Sequence, residues 1–527
     1  AVIAKPADQT PLIAIRTVQL LHEAGIPEDV LHLLPGRGST IGQAMISDPR
    51  IAGICFTGST EVAQHINRSL AENASSDAIL LAETGGMNAM IMDSSALPEQ
   101  VVRDVISSSF QSAGQRCSAL RVLFVQKDVE EKVIEMICGA MDTLTMTDPA
   151  DLRSDLGPVI DLKAKQVIDE HCLKMEQKGR IIHKLDTPEH LKGFFCPPTL
   201  VRLSNINELE QEIFGPVLHV ISYDIEELDQ VTESINKTGY GLTFGVHSRI
   251  DGRVQRIVDG VNVGNYYVNR NQIGAIVGSQ PFGGHGLSGT GPKAGGPLYL
   301  RRFRKAINEA CGLELLSADS APASVLITAS QIDEASTRLS NHMLAAREDK
   351  AAYIRSLLKG EAKEAMSAAA SLDMGPMELP GPTGESNQYR MVSRGLVVCL
   401  GETAEVALAQ VVQALVTGNK VVVVLPQPCN DTSKVLKRLT TANLPLIVIH
   451  GQVEASEFAK VKNLAAVAFV GSEADQLVIR KALSMRTGPI LPLITEVIYP
   501  AGYVHEKTVS TDTTAAGGNA QLLAEIS

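Results

Sequence analysis

Ile51-Ala-Gly-Ile-Cys-Phe-Thr-Gly-Ser59 decides the fold. An apolar run to Phe56 ends in Thr57-Gly58-Ser59, and a helical pattern then runs from Glu61 to Ala74. A strand that stops at a glycine turn and opens a helix is part of a βαβ unit. Upstream, Ala-Val-Ile-Ala-Lys5 reads as a strand and Thr10–Ala24 as a helix with Leu12, Ile15, Leu20 and Leu21 near 3.6-residue spacing. Val30–Leu34 follows as a strand, then the glycine loop Pro35-Gly-Arg-Gly38. Downstream, Ala78–Ala82 is a strand, and alternation continues over 95–300 with helices near 98–112 and 128–143. Alternation of this kind predicts an α/β fold with a parallel sheet.

The pattern returns near the end of the chain. Ala468-Phe-Val-Gly-Ser472 parallels Cys55-Phe-Thr-Gly-Ser59, and Ile494-Thr-Glu496 parallels Leu81-Ala-Glu83. The interval from Phe to Glu is 27 residues in both copies. Val421–Pro426 likewise parallels Val2–Pro6, so the spacing predicts an internal duplication. The second copy has an extra strand and helix, Gly395–Thr417, before its Val421 strand. The first copy begins in mid-unit, which predicts an N-terminally truncated polypeptide. Between the copies, 303–378 is rich in Ala, Glu, Lys and Ser and reads as a helical linker. Leu379-Pro-Gly-Pro-Thr-Gly-Glu-Ser-Asn387 punctuates its end. The expected divisions are 1–84, 85–302, 303–378, 379–505 and a tail, 506–527.

Composition excludes several classes. The chain has 527 residues, 44% apolar and 20% charged, which argues against disorder. A net charge of −12 argues against nucleic acid as a partner. No apolar run approaches the ~18 residues of a membrane span, and no leader opens the chain. The 8 cysteines form no CxxC and no zinc spacing, so no metal is expected and reduced cytoplasmic thiols are.

Two residues carry candidate chemistry. Glu83-Thr-Gly-Gly86 and Gln115-Arg-Cys117 lie 34 residues apart from Glu to Cys. A cysteine on a loop between helix and strand is open to substrate, and a carboxylate can take a proton from water or thiol. Either alone is more often a core thiol or a solvated acid.

Six ordered motifs, however, resemble the aldehyde dehydrogenase superfamily over residues 1–300: Lys5-Pro-Ala-Asp8, Phe56-Thr-Gly-Ser-Thr60, Glu83-Thr-Gly-Gly86, Gly114-Gln-Arg-Cys117, Glu212-Ile-Phe-Gly-Pro-Val217 and Pro281-Phe-Gly-Gly284. Asn265-Tyr-Tyr-Val-Asn-Arg270 and Leu287-Ser-Gly-Thr-Gly-Pro-Lys-Ala-Gly-Gly296 resemble its glutamate-semialdehyde (pyrroline-5-carboxylate) dehydrogenase branch. Leu379–Asn387 and Thr513-Thr-Ala-Ala-Gly-Gly-Asn519 resemble long members of the bifunctional proline utilization A family.

The resemblance implies a partial Rossmann-type cofactor domain, an α/β catalytic domain and a second, non-catalytic Rossmann-like domain. It implies NAD-dependent oxidation of L-glutamate γ-semialdehyde to L-glutamate. Cys117 would be the nucleophile and Glu83 the base that activates water. The Cys117 N–H would stabilise the oxyanion together with an Asn that precedes residue 1. Lys5 and Asp8 would face the adenosine ribose, and a carboxylate at Asp8 disfavours a 2′-phosphate. Gly38, Gly42 and Ser59 lie where helices open and free N–H groups suit a pyrophosphate. Phe56 belongs to the cofactor motif, Glu212 would hold the nicotinamide ribose, and Phe214 would pack beside the ring. Ser288 and Gly289 would anchor the substrate's carboxylate, with Ser118 nearby. An FAD-dependent proline dehydrogenase part is expected only on a missing N-terminus, and the whole enzyme is expected to be a homo-oligomer. Two alternatives stay open: an enzyme for another carboxylated aldehyde, separable by substrate comparison, and a non-catalytic scaffold, separable by soaking in NAD. The second copy has Leu425 in place of Lys5, one Gly451 in place of the paired glycines, and no matching Cys, so a structural, covering role is expected for it.

Overall fold

The computed structural model describes residues 1–304, 325–339, 349–401, 403–426 and 430–514. A ten-stranded sheet forms the centre. Its middle strands, Ala89–Met92, Val122–Gln126 and Val217–Tyr223, run parallel and are almost wholly buried. Such continuous apolar strands are what a sheet covered on both faces requires. Each fully buried Val, Leu or Ile contributes about 1.5–3 kcal/mol. The helices Pro98–Phe110 and Glu130–Asp142 cover one face, with Val101, Val105, Val133 and Ile137 turned into the core.

One margin of this sheet comes from an unexpected place. Val504–Asp512 joins Asn265–Val268 in parallel and then receives Glu385–Ser393 antiparallel. Residues 379–393 and 504–512 thus extend the ten-stranded sheet, and the divisions drawn at 379 and 506 do not follow the packing. The physical reason is pairing: Asn265–Val268 would otherwise be an edge with unsatisfied N–H and C=O groups. Residues 515–527, the rest of the expected tail, lie outside the described residues.

The second Rossmann-like unit is a five-stranded parallel sheet in the order Leu446–His450, Lys420–Leu425, Leu396–Gly401, Leu464–Val470, Leu493–Ile494. Helix Ala404–Val416 lies buried against it. The helices expected as linker, Ala329–Leu339, Lys350–Leu358 and Lys363–Ala370, pack Ile332, Leu339, Ile354 and Met366 into this unit's two cores. They are part of the second unit, because their apolar stripes need a partner.

Residues 1–84 form two separate parallel pairs, Val2–Ala4 with Leu31–Leu33 and Gly53–Thr57 with Ile79–Glu83. Helix Pro11–Glu23 buries Val18 but leaves Leu12, Leu20 and Leu21 exposed. The two units meet through corresponding helices, Thr60–Asn73 and Glu473–Ser484. There the Arg480 guanidinium donates to the carbonyls of Ser75, Ser76 and Ala78 at 2.6–2.9 Å. Among the described residues no helix is long and apolar enough to cross a membrane.

Candidate active site

Cys117 follows a backbone corner. Helix Pro98–Phe110 ends, and Ser112, Ala113 and Gly114 all take positive φ, at 58°, 53° and 65°. Non-glycine residues there cost about 1–3 kcal/mol each, so the surroundings must hold them. Glycine is required at 114, since a Cβ would stand 2.1 Å from the Gly215 carbonyl oxygen. The Arg121 Nη1 donates to the Gly114 carbonyl at 2.7 Å, and Arg116 Nε donates to Ser112 Oγ at 3.1 Å. Asn88 Nδ2 clamps the far side, donating to the carbonyls of Cys117 at 2.6 Å and Ala119 at 2.9 Å. The half-buried Cys117 thiol is pushed up by burial and by the charges of Glu212 and Glu83. The N–H groups of Cys117 and Ser118 aim at its sulfur and pull the other way.

Glu83 ends the strand Ile79–Glu83. Burial pushes its carboxyl up to about 8, while the Gly284 N–H, donating at 3.2 Å, and the Lys293 charge hold it down in part. A buried acid that ionises near neutrality suits general-base work.

Glu212 also reaches this centre. It accepts from Gly86 N–H at 3.2 Å and is paired with Arg121, whose Nε and Nη2 donate to it at 3.1 and 2.9 Å. Arg121 is fully buried and lies over the Phe214 ring at 5.1 Å, while Phe214 stays 41% exposed. One guanidinium thus fixes the cysteine corner, Glu212 and Phe214 together.

The remaining cofactor candidates gather at the strand ends of residues 1–84. Lys5 Nζ donates to the carbonyls of Pro6 at 2.6 Å and Gly36 at 3.1 Å, and pairs with Asp8 at 3.2 Å. Gly42 lies against the Lys5 stem, and a Cβ on Gly38, in the same turn, would meet open space. Ser59 caps helix Thr60–Asn73, its hydroxyl accepting from Val62 N–H at 3.3 Å. Phe56 folds its ring across Gly58 and packs with Ile54 and Leu80.

Two expected residues lie elsewhere. Ser288 is fully buried, and its hydroxyl accepts from Gly241 N–H at 3.0 Å. Gly289 bridges to Glu83 and packs on the Gly284 and Ala82 carbonyls. The loop 284–290 zips along the strand Ile79–Glu83, with Thr84 N–H donating to the Ser288 carbonyl and Ala82 N–H to Thr290 Oγ1. Its polar groups satisfy that edge. Ser118 does sit beside Cys117, and its carbonyl accepts from Gln272 Nε2 at 3.4 Å. Just past Gln272, Gly274 and Gly278 take φ of +75° and +87° with open space around them, and Val277 is exposed.

Sequence reading had assigned no role to Arg121, Asn88, Gln272, Lys293 or Glu506. Arg121 left a signal, a charge four residues after Cys117 and directly before the apolar run Val122-Leu-Phe-Val125. Among the described residues no group of three or more His, Cys, Asp or Glu is arranged to hold a metal.

Residues 1–306 match the aldehyde dehydrogenase family. The chain is 42% identical to the bifunctional protein PutA of Klebsiella aerogenes over 98% of its own length and 39% of that protein's. It is 38% identical to the 1-pyrroline-5-carboxylate dehydrogenase of Geobacillus kaustophilus over 57% of this chain and 58% of that one. A crystal structure of a bifunctional proline utilization A protein superposes with a TM-score of 0.56 at 56% identity, covering 57% of this chain and 31% of that one. The Thermus 1-pyrroline-5-carboxylate dehydrogenase with bound NAD superposes at 0.54 and 35% identity, covering 57% and 59%. The chain therefore spans about two fifths of the length of the PutA relatives. The cysteine corner, the acid at the strand end and these matches agree: the chain belongs to the aldehyde dehydrogenase family.

Proposed function

We propose that the whole polypeptide oxidises L-glutamate γ-semialdehyde, the open form of pyrroline-5-carboxylate, to L-glutamate with NAD. One observation carries the reading: Cys117 and Glu83 share one centre, where the Glu83 charge helps push the Cys117 thiol up, in a chain similar to named 1-pyrroline-5-carboxylate dehydrogenases. Cys117, as thiolate, attacks the aldehyde carbon, and the N–H groups of Cys117 and Ser118 take up the oxyanion charge. NAD, when bound, would supply the acceptor for the hydride that leaves the thiohemiacetal carbon as the Cys117 thioester forms. Glu83 takes a proton from water, the water oxygen attacks the thioester, and the thiolate leaves as glutamate forms.

The residues present fit the dinucleotide. Lys5, Asp8, Gly38 and Gly42 line an open turn, Ser59 heads a helix, and Glu212 and Phe214 are tied to the Cys117 corner through Arg121. The substrate carboxylate would lie by Ser118 and the open backbone of 274–278, in place of Ser288 and Gly289. The PutA relatives are named bifunctional, and we extend the proposal to an FAD-dependent proline dehydrogenase part elsewhere in the full protein. A cytoplasmic homo-oligomer completes it, in keeping with free thiols that include Cys55, Cys117 and Cys138.

NADH formation by the full polypeptide tests the reading. The semialdehyde should be turned over far faster than a simple aliphatic aldehyde, with thioester hydrolysis rising through about pH 8 as Glu83 ionises. Equal turnover of the two aldehydes would remove the substrate assignment.

A further inference from the structure

The strand Val504–Asp512 does more than pair with its neighbour. It follows the second unit, yet it places Glu506 and Thr508 directly behind the Glu83 loop. Glu506 Oε2 accepts from the Lys293 backbone N–H at 2.6 Å, and Oε1 accepts from the Tyr389 hydroxyl at 2.7 Å. Lys293 is 2% exposed. Its Nζ lies within 2.5–3.1 Å of four acceptors: the Gly264 and Pro281 carbonyls, Asn265 Oδ1 and Thr508 Oγ1. The Asn265 amide nitrogen is turned away, donating to the Leu242 and Gly283 carbonyls. Burial pulls the Lys293 ammonium well below its ordinary range, and the charges of Glu506 and Glu83, with four oxygens around its three protons, oppose that loss.

Glu83 lies against the same loop. At Gly283 a Cβ would stand 2.9 Å from Glu83 Oε1 and 3.2 Å from the Lys293 Cα, so only a bare α-carbon separates them. The next residue, Gly284, donates its N–H to Glu83. We propose that Lys293, locked in place by Glu506 and Thr508, is a positioning residue for Glu83. It holds the Gly283–Gly284 turn on the carboxylate, and the opposed charges of Lys293 and Glu506 set the pH at which Glu83 can accept water's proton.

This rests on the reading of Glu83 as the base. The charged and titratable groups around it are Cys117, Tyr299, Lys293 and Glu506, with Arg394, Lys507 and the uncharged His285 behind them. Lys293 favours the Glu83 carboxylate and Glu506 disfavours it. Removing each should therefore move Glu83 in opposite directions.

p-Nitrophenyl acetate provides the test in the full polypeptide, because it acylates a thiol without cofactor. The burst of nitrophenolate reads acylation and the slow phase reads hydrolysis of the acyl-enzyme. Lys293→Met should move the midpoint of the hydrolysis pH profile up by about one pH unit, and Glu506→Gln should move it down by a similar amount. Unmoved midpoints, or movement in the same direction, would overturn the proposal. Should Lys293→Met not fold, Glu506→Gln alone decides, and a midpoint that stays or rises overturns it. Glu83→Gln separates this from the base assignment. Hydrolysis that survives in Glu83→Gln overturns both. Hydrolysis lost there, with wild-type midpoints in the other two variants, overturns this proposal alone.

Discussion

Val2 and Ile3 lead to Lys5 on a strand where they are 59% and 41% exposed, whereas Val422 and Val423 on the corresponding strand of the second unit are fully buried. The sequences of the two strands are equally apolar. The difference is the neighbour: Leu396–Gly401 lies between Lys420–Leu425 and Leu464–Val470, and helix Ala404–Val416 covers it. Among the described residues of the first unit, the strands Val2–Ala4 and Gly53–Thr57 belong to separate two-stranded sheets. The strand ends differ in the opposite sense. In the first unit the turn at Gly36–Gly42 opens onto space beside Lys5. In the second, the strand Leu326–Ile327 pairs with Gln452–Val453, and a Cβ on Gly451 would stand 2.7 Å from Ile327. The second unit has one five-stranded sheet and a closed strand end, while the first has two two-stranded sheets and an open strand end. Sheet and site are separable, as expected when function is grafted onto a fold.

The sharpest way to break this comparison is to remove each unit's associated thiol. Cys117→Ala should lower NADH formation by about 10⁴-fold or more, since no other group can form the thioester. Cys399, in the central strand of the second unit, is fully buried, and burial pushes its thiol far up. Cys399→Ala should leave turnover intact. NADH formation by Cys117→Ala near the wild-type rate would end the assignment.

Two buried arginines offer the next contrast. Arg121 holds Glu212 as well as backbone carbonyls, whereas Arg480 holds carbonyls alone. Arg121→Met strands a buried carboxylate and releases the strained corner, at a cost of about 3–5 kcal/mol. Arg480→Met should cost about 1–3 kcal/mol and spare the chemistry. Urea denaturation of both variants, with NADH assays beside it, checks the order. Equal losses of stability would show that Glu212 is not supported by Arg121.

Much of this was legible in the sequence. Glycine turns and apolar runs are local signals, and they gave the alternation of strands and helices in both units, whereas the roles of Cys117 and Glu83 came from the resemblance to the aldehyde dehydrogenase superfamily. Contacts between distant segments left no such trace. Ser288 looked like an anion donor because its loop is glycine-rich, but the neighbouring strand claims that loop's hydrogen bonds. Lys293 and Glu506 are 213 residues apart, and only the sheet register brings them together. Helix Ala329–Leu339 read as linker because its partner, the second sheet, lies further along the chain.

Cofactor stoichiometry gives a finer test of the open and closed strand ends. Titration calorimetry should find one NAD per chain, bound by the first unit in the full polypeptide. Asp8→Ser should weaken NAD by about tenfold to a hundredfold, the loss of one charge-assisted hydrogen bond, and narrow its advantage over NADP. Two NAD per chain would show that the second strand end is open after all.

The smallest effect comes from the feature the units share most closely. Ser59 caps Thr60–Asn73 by accepting from Val62 N–H at 3.3 Å, and Ser472 caps Glu473–Ser484 by accepting from Asp475 N–H at 3.2 Å. Either Ser→Ala change removes one acceptor from a helix start and should cost about 1 kcal/mol of stability. In that respect the two caps are equivalent. They differ in what lies ahead of the helix. Ser59 sits at an exposed strand end in the unit that carries Lys5 and Asp8, so its hydroxyl and the N–H groups behind it can meet a pyrophosphate. Ser472 heads the matching helix in a unit that has Leu425 in place of Lys5 and whose glycine loop is closed by Leu326–Ile327. Ser59→Ala should therefore weaken NAD binding by a few-fold on top of its stability loss, and Ser472→Ala should lose stability alone. Thermal melts with and without NAD read both quantities in one experiment. If Ser472→Ala lowered NAD affinity as much as Ser59→Ala, the division of labour between the two units would fail.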